Sequence, residues 1–220
     1  MESVSPSLKG GLAMLLLLVA PLPAQQSRRF LQADAGASRI YVITHRTGLL
    51  SFLGHEHAIL APRWSAALCW DAPAHAGSHA EIVIEAAALE IDADSARALA
   101  GLGKGPSPRQ RAQLQRKLHA ENNLDSERYP ELRFRSSSVR AAGDTLLIQG
   151  MLTVRNLARA VELPAIVQPR AGGEFWISGM LRVRQSDFGI RPESIGGVVK
   201  VADVVDIHVG LLVIATSAEC

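Results

Sequence analysis

Two imidazoles stand two residues apart in Gly54-His55-Glu56-His57. On an extended strand, side chains at i and i+2 share a face, so the pair presents its rings about 7 Å apart along the chain. Two histidines supply only part of a metal site, which needs a third ligand and usually a fourth. His45, His119, Asp203 and His208 are candidates for the remainder, but no spacing places them beside the pair. A second chemistry is capture of a polar head group, with imidazole donating to a quinone carbonyl or a pyrophosphate oxygen. A third is purely structural: the two rings satisfy backbone groups at a strand break after Gly54. Asp206 and His208 also share a face of a strand-like run, either as a surface pair or as half of an acid–base dyad.

Other catalytic signatures are weak. Ser136-Ser137-Ser138 has no Gly-x-Ser-x-Gly elbow around it. Gly101-Leu102-Gly103-Lys104-Gly105 lacks the Gly-Lys-Ser/Thr ending and the strand–loop–helix setting of a phosphate loop. No catalytic residue is assigned, and no enzyme is expected. The 220-residue chain carries 23 Lys+Arg against 21 Asp+Glu, a net charge of +2. That balance gives no basic footprint for nucleic acid. Two cysteines cannot close a four-sulfur zinc site, and no cofactor is expected.

The elements that must position these residues are strands. Ile40–Thr44, Leu49–Ile59, Trp64–Trp70 and His79–Glu85 read as the first four, being β-branched or alternating with period two. Residues 96–123 break the pattern. Within them, Ser107 followed by Pro108 is an N-cap and first-turn signal. It predicts a helix of about three turns through Leu114 and Leu118. The basic residues from Arg109 to Lys117 then form its wet face. Strands resume at Leu132–Ser136, Leu146–Val154, Ala160–Gln168, Glu174–Arg184 and Asp203–Thr216.

This order, eight or nine strands with one inserted α-helix, predicts an all-β barrel or sandwich. The Leu146–Leu152 and Val204–Ile214 runs are apolar on both faces. Such strands need a second apolar surface: the helix, a partner subunit, or a greasy ligand inside the barrel. The alanines at 66, 67 and 86–88 argue for interior space.

The N-terminus reads differently. Lys9 precedes an apolar run, Leu12 to Ala20, then Pro21-Leu22-Pro23-Ala24 and a polar start. That is the layout of a secretory signal, with cleavage expected after Ala24; an uncleaved anchor is the alternative. The domain reading is signal peptide 1–24, linker 25–38 and barrel 39–217. The body is then expected to be periplasmic or secreted. In that oxidising setting Cys69 and Cys220 can pair; a buried Cys69 thiol and a frayed Cys220 are the alternatives.

Three segments resemble the YceI-like family of secreted lipocalin-like proteins. They are Asp125 to Ser136 with its Tyr129-Pro130, Ile148 to Val161 with Gly150 and Leu152-Thr153, and Asp187-Phe188-Gly189-Ile190 followed by Asp203 to Ile207. An aspartate-rich aromatic stretch usual before the Tyr-Pro element is absent, and Arg111 to Leu124 stands in its place. The resemblance implies an all-β, extended antiparallel lipocalin-like β-barrel of about eight strands with one inserted α-helix, and an apolar tunnel that holds a long-chain amphiphile: a polyisoprenoid, an isoprenoid quinone or a fatty-acid derivative. The expected partner is thus a long-chain lipid or isoprenoid, with transient membrane contact and a homodimer as further expectations. His55 and His57 are put forward for the head group. Phe52, Ile82, Ile84, Phe134, Leu152, Trp176 and Phe188 are put forward for the chain.

Overall fold

The computed structural model describes residues 28–47, 56–71, 75–192, 194–195 and 199–220. The signal-peptide stretch, Phe52 and His55 lie outside the described residues. Among the described residues, eleven strands run β1 (Arg29–Thr47), β2 (His57–Leu60), β3 (Trp64–Trp70), β4 (His79–Glu85), β5 (Glu90–Ile91), β6 (Glu131–Ala142), β7 (Thr145–Val154), β8 (Leu157–Pro169), β9 (Glu174–Arg184), β10 (Ser194–Ile195) and β11 (Val199–Glu219). Two helices, α1 (Asp94–Leu99) and α2 (Pro108–His119), interrupt them between β5 and β6.

Eight strands pair antiparallel in the order β11-β9-β8-β7-β6-β4-β3-β1, and β1 returns to β11. Closure removes both free edges, which is how an all-β chain of this size avoids edge-to-edge pairing. The closing seam is long: β1 and β11 pair from Arg29↔Glu219 to Thr47↔Lys200, with bulges near Asp34 and Arg46. Strand pairing therefore starts at Arg29, inside the stretch that the sequence reading gave to a linker. The run Leu49–Ile59, read as one strand, is represented among the described residues by the four-residue β2. Strands β2 and β5 extend the edge of β1 as a small flap.

The inserted helix is where the sequence predicts it. Ser107 Oγ accepts from the Gln110 backbone N–H, and the Gln110 side chain accepts from the Ser107 N–H, a reciprocal cap with Pro108 at the first position. Gln115 fixes α2 to β5: its amide donates to Leu89 O at 2.6 Å and its carbonyl accepts from Ile91 N at 2.9 Å. Leu114 and Leu118 then face the barrel core. The β7–β8 hairpin turns on Arg155 and Asn156, both at positive φ (52° and 59°). That pair of left-handed residues is the twist-matched two-residue hairpin turn.

Inward side chains alternate along each barrel strand. Leu31, Leu68, Leu211 and Val213 fill the half of the barrel around the start of β1 and the end of β11. Two glycines on inward positions let large neighbours lie flat. The Phe134 ring rests over Gly150, and Leu163 rests over Gly179. A Cβ on Gly150 would stand 2.5 Å from Arg135 O and 2.8 Å from the Phe134 ring. Gly150→Ala is therefore expected to cost about 1–3 kcal/mol through overpacking. Urea denaturation checks this: the midpoint should fall with the slope unchanged.

Cys69 and Cys220 form a disulfide with Cα atoms 6.1 Å apart. It ties the end of β3 to the last residue, beside the point where Cys220 N donates to Arg28 O. The alternatives for these cysteines, a free buried thiol and a frayed end, are thereby set aside.

Candidate functional site

The half of the barrel under α2 is not filled. A cavity of about 160 Å³ lies there. β1 contributes Ile40, Val42 and Thr44; β4 contributes Ile82 and Ile84; β6 contributes Leu132 and Phe134. β7, β9 and β11 add Leu152, Val154, Leu181, Val183, Val205, Ile207 and Val209. Leu118 of α2 and Leu124 after it close the top, with Phe188 and Ile190 from the turn after β9. Polar lining residues are few: Tyr41, Thr44, Asn123, Arg133 and Gln185. The walls offer contact to an apolar chain, and almost nothing to hold a polar one.

Five of the residues put forward from the sequence line this cavity: Ile82, Ile84, Phe134, Leu152 and Phe188. Trp176 does not. It sits on β9 with parity opposite to the lining residues Leu181 and Val183, and its ring covers Gly210 on the outer face. The alanines taken as a sign of space do not line it either; Ala86 and Ala88 are buried in a tight turn, and Ala61 is the alanine on the wall.

His57 is held by a carboxylate. Its Nδ1 donates to Asp92 Oδ2 at 2.6 Å. Asp92 is fully buried, and its other oxygen accepts from Arg97 at 2.7 Å and from Ala58 N at 3.2 Å. Arg97 goes on to donate to Gly103 O, Lys104 O and Glu56 O. This network fastens β2, α1 and the glycine-rich loop 101–105 to one another. Neither Asp92 nor Arg97 stands out in the sequence. An arginine in an alanine-rich segment, five residues from an aspartate at a strand end, was the available signal. Among the described residues, no three His, Cys, Asp or Glu side chains converge closely enough to share a metal.

His45 makes a second polar cluster, on the outer face of the seam. Its Nδ1 contacts Glu56 at 3.2 Å and its Nε2 contacts Asp206 at 3.0 Å. Arg182 donates to the other Asp206 oxygen at 2.8 Å. A neutral ring has one donor nitrogen, so two carboxylate partners favour the imidazolium. Burial opposes that charge, but the hydrogen bonds and charges of Glu56 and Asp206 outweigh it, and the His45 pKa is raised. His208 goes the other way: burial, together with the nearby His45 charge, lowers its pKa despite Asp206. Its ring stacks on Tyr41 with centroids 4.7 Å apart. Asp206 and His208 do share a face, but as members of this cluster.

A histidine with a raised folded pKa adds stability that is complete below its ordinary value of ~6.5 and is lost as pH rises through the folded value. His45→Gln should thus lower stability most in mildly acidic buffer, by at most ~1 kcal/mol because the side chain is over a third exposed. The gap should close toward pH 8.5 in urea titrations of both proteins. A gap that stays constant with pH would show that the bridge is uncharged.

A closed antiparallel barrel with a capped, apolar lumen defines the molecule as a lipocalin-like barrel. The chain belongs to a narrower group within that class: the family model of the YceI-like domain matches residues 32–212. No curated protein matches the chain in sequence. Solved structures with the same fold include BcnA from Burkholderia cenocepacia, at 20% identity and a TM-score of 0.63, covering 82% of this chain and 99% of that one. A polyisoprenoid binding domain from Saccharophagus degradans, implicated in plant cell wall breakdown, matches at 10% identity and a TM-score of 0.54, covering 86% and 99%. The Campylobacter jejuni YCEI protein matches at 14% identity and a TM-score of 0.53, covering 71% and 82%.

Proposed function

We propose that this protein is a periplasmic or secreted carrier that holds an amphiphile, a polyisoprenoid, an isoprenoid quinone or a fatty-acid derivative, with its apolar chain in the barrel lumen. The observation that carries the reading is the cavity: a mostly apolar space lined by described residues of a YceI-like barrel. Each buried CH₂ of a chain contributes about 0.8 kcal/mol, so a tail alone gives affinity and no catalytic group is needed. The likeness to a polyisoprenoid binding domain supports the same ligand class. The apolar N-terminal run and the Cys69–Cys220 bond support export to an oxidising compartment. Loading from a membrane follows from the ligand's insolubility.

Native mass spectrometry of the protein purified from its own compartment, with organic extraction of the same sample, tests this. The expected result is a bound species released on denaturation and recovered in the organic phase. A protein of bare sequence mass with an empty extract, which also fails to take up added lipid, would overturn it.

A further inference from the structure

We propose that α2 and the turn after it form a lid that mildly acidic pH releases, with His119 as the side chain that senses the proton. What the lid retains rests on the lipid-binding reading above; the lid itself does not.

His119 is the last residue of α2, and Leu118 beside it closes the top of the cavity together with Leu124. The chain folds back at once. Leu124 N donates to Leu118 O at 3.1 Å, Asp125 N to Ala120 O at 3.0 Å and Ser126 N to His119 O at 3.3 Å. Helix end and turn are thus one hydrogen-bonded piece, and Gln115 ties that piece to β5. The Gln115 amide is fully committed. Its Oε1 accepts from Ile91 N at 2.9 Å, and its Nε2 donates to Leu89 O at 2.6 Å. These two backbone groups fix the orientation of the amide, because a flipped amide would set oxygen against the Leu89 carbonyl and nitrogen against the Ile91 N–H. The remaining Nε2 proton serves His119, whose Nε2 lies 2.6 Å away. An amide nitrogen only donates, so this ring nitrogen must accept and carries no proton. The other ring nitrogen, Nδ1, then bears the proton and donates to Ser126 Oγ at 3.0 Å. The closed lid is built around a neutral imidazole in one tautomer.

An imidazolium has two donors and no acceptor. Protonation of His119 therefore sets an N–H against the Gln115 N–H, and that contact breaks. Its two partners, Gln115 and Ser126, are uncharged and give the added charge no counter-ion. The charged groups on the elements around it are Glu90 on β5, Asp94 of α1 paired with Arg111, Arg116 and Lys117 on α2 itself, and Glu121, Asp125 and Glu127 in the turn. His45 responds in the opposite sense, since its partners Glu56 and Asp206 are carboxylates. Acid thus loosens the lid while it keeps the seam closed.

The test is amide hydrogen exchange of the full chain at about pH 7.5 and about pH 5.5, the range across which histidine changes charge, with rates corrected for the intrinsic effect of pH. Wild type, His119→Gln and His119→Lys are compared. In the wild type, the amides of residues 112–126 and of Leu89–Ile91 should lose about five- to tenfold of their protection at the lower pH, the scale of one lost hydrogen bond, while β7 and β8 stay unchanged. His119→Gln keeps a neutral acceptor for Gln115 and should stay closed at both values. His119→Lys carries the charge throughout and should be open at both. A wild-type lid with flat protection, or a drop of equal size in His119→Gln, would overturn the proposal. Imidazole ¹⁵N shifts decide the matter without any variant. His119 should be the Nδ1–H tautomer at the higher pH and should titrate together with the loss of protection; an Nε2–H tautomer or an imidazolium there would also overturn it. Release of N-phenyl-1-naphthylamine, an apolar fluorophore uncharged at both pH values, should be faster at the lower pH in the wild type and not in His119→Gln. Failure of this probe and of added fatty acids to bind at either pH would count against the lipid-binding reading, whereas exchange and shifts judge the lid alone, so the two failures are distinguishable.

Discussion

Replacing Asp92 by alanine is expected to destabilise the protein by about 3–5 kcal/mol, the range seen when one partner of a buried ion pair is removed. Asp92 is fully buried and Arg97 nearly so. Without the carboxylate, the guanidinium remains buried with only carbonyl partners, and His57 Nδ1 and Ala58 N lose their acceptor. The loss should be pH-dependent. Burial pushes the Asp92 carboxyl up, but hydrogen bonds from His57, Arg97 and Ala58 N and the His57 charge outweigh it, so its pKa is lowered. A lowered folded value means that the contribution is present above the ordinary carboxylate value of ~3.9 and disappears as pH falls through the folded value. Urea denaturation at neutral pH should show the full gap between wild type and variant, and the gap should shrink below pH ~4. Asp94→Ala is the control: Asp94 is exposed and pairs with Arg111 at the surface, so its change should stay within about 0.5 kcal/mol. An Asp92→Ala cost as small as the control's would refute the structural role of the network.

Removing the disulfide, by Cys69→Ser with Cys220→Ser, is expected to cost about 2–5 kcal/mol. The bond joins residues 151 apart in sequence, so it constrains most of the unfolded chain. Its loss should also be felt locally. Arg29–Leu31 pair with Leu68–Trp70, and Arg29 pairs with Glu219, so the bond clamps three strand ends at once. Hydrogen exchange should show the amides of these strand ends opening while those of β7 and β8 stay protected. Equal stability and equal exchange in the double variant would contradict the clamp.

The barrel was legible in the sequence because its signals are local. Period-two alternation in 79–85, 146–154 and 174–184 marks strands, and Ser107-Pro108 marks the helix start. The cavity was partly legible for the same reason. Alternation assigns Leu181 and Val183 to one face of β9 and Trp176 to the other, and the structure places the first two on the lumen. Trp176, put forward for the ligand, has the outward parity. The polar clusters were not legible, because they are made by pairing at long range. His45 meets Asp206 across the closing seam, 161 residues away, and His57 meets Asp92 through the β2–β5 flap. No spacing in a single chain announces such contacts.

An apolar tail inside the half of the barrel under α2 is tested directly by methyl nuclear Overhauser spectroscopy on protein labelled at Ile, Leu and Val, with ¹³C-dodecanoate as the probe. Contacts are expected from the chain to Ile82, Leu152, Leu181 and Ile207. Contacts confined to outward residues such as Ile166 and Ile214, or no contacts at saturating probe, would contradict it.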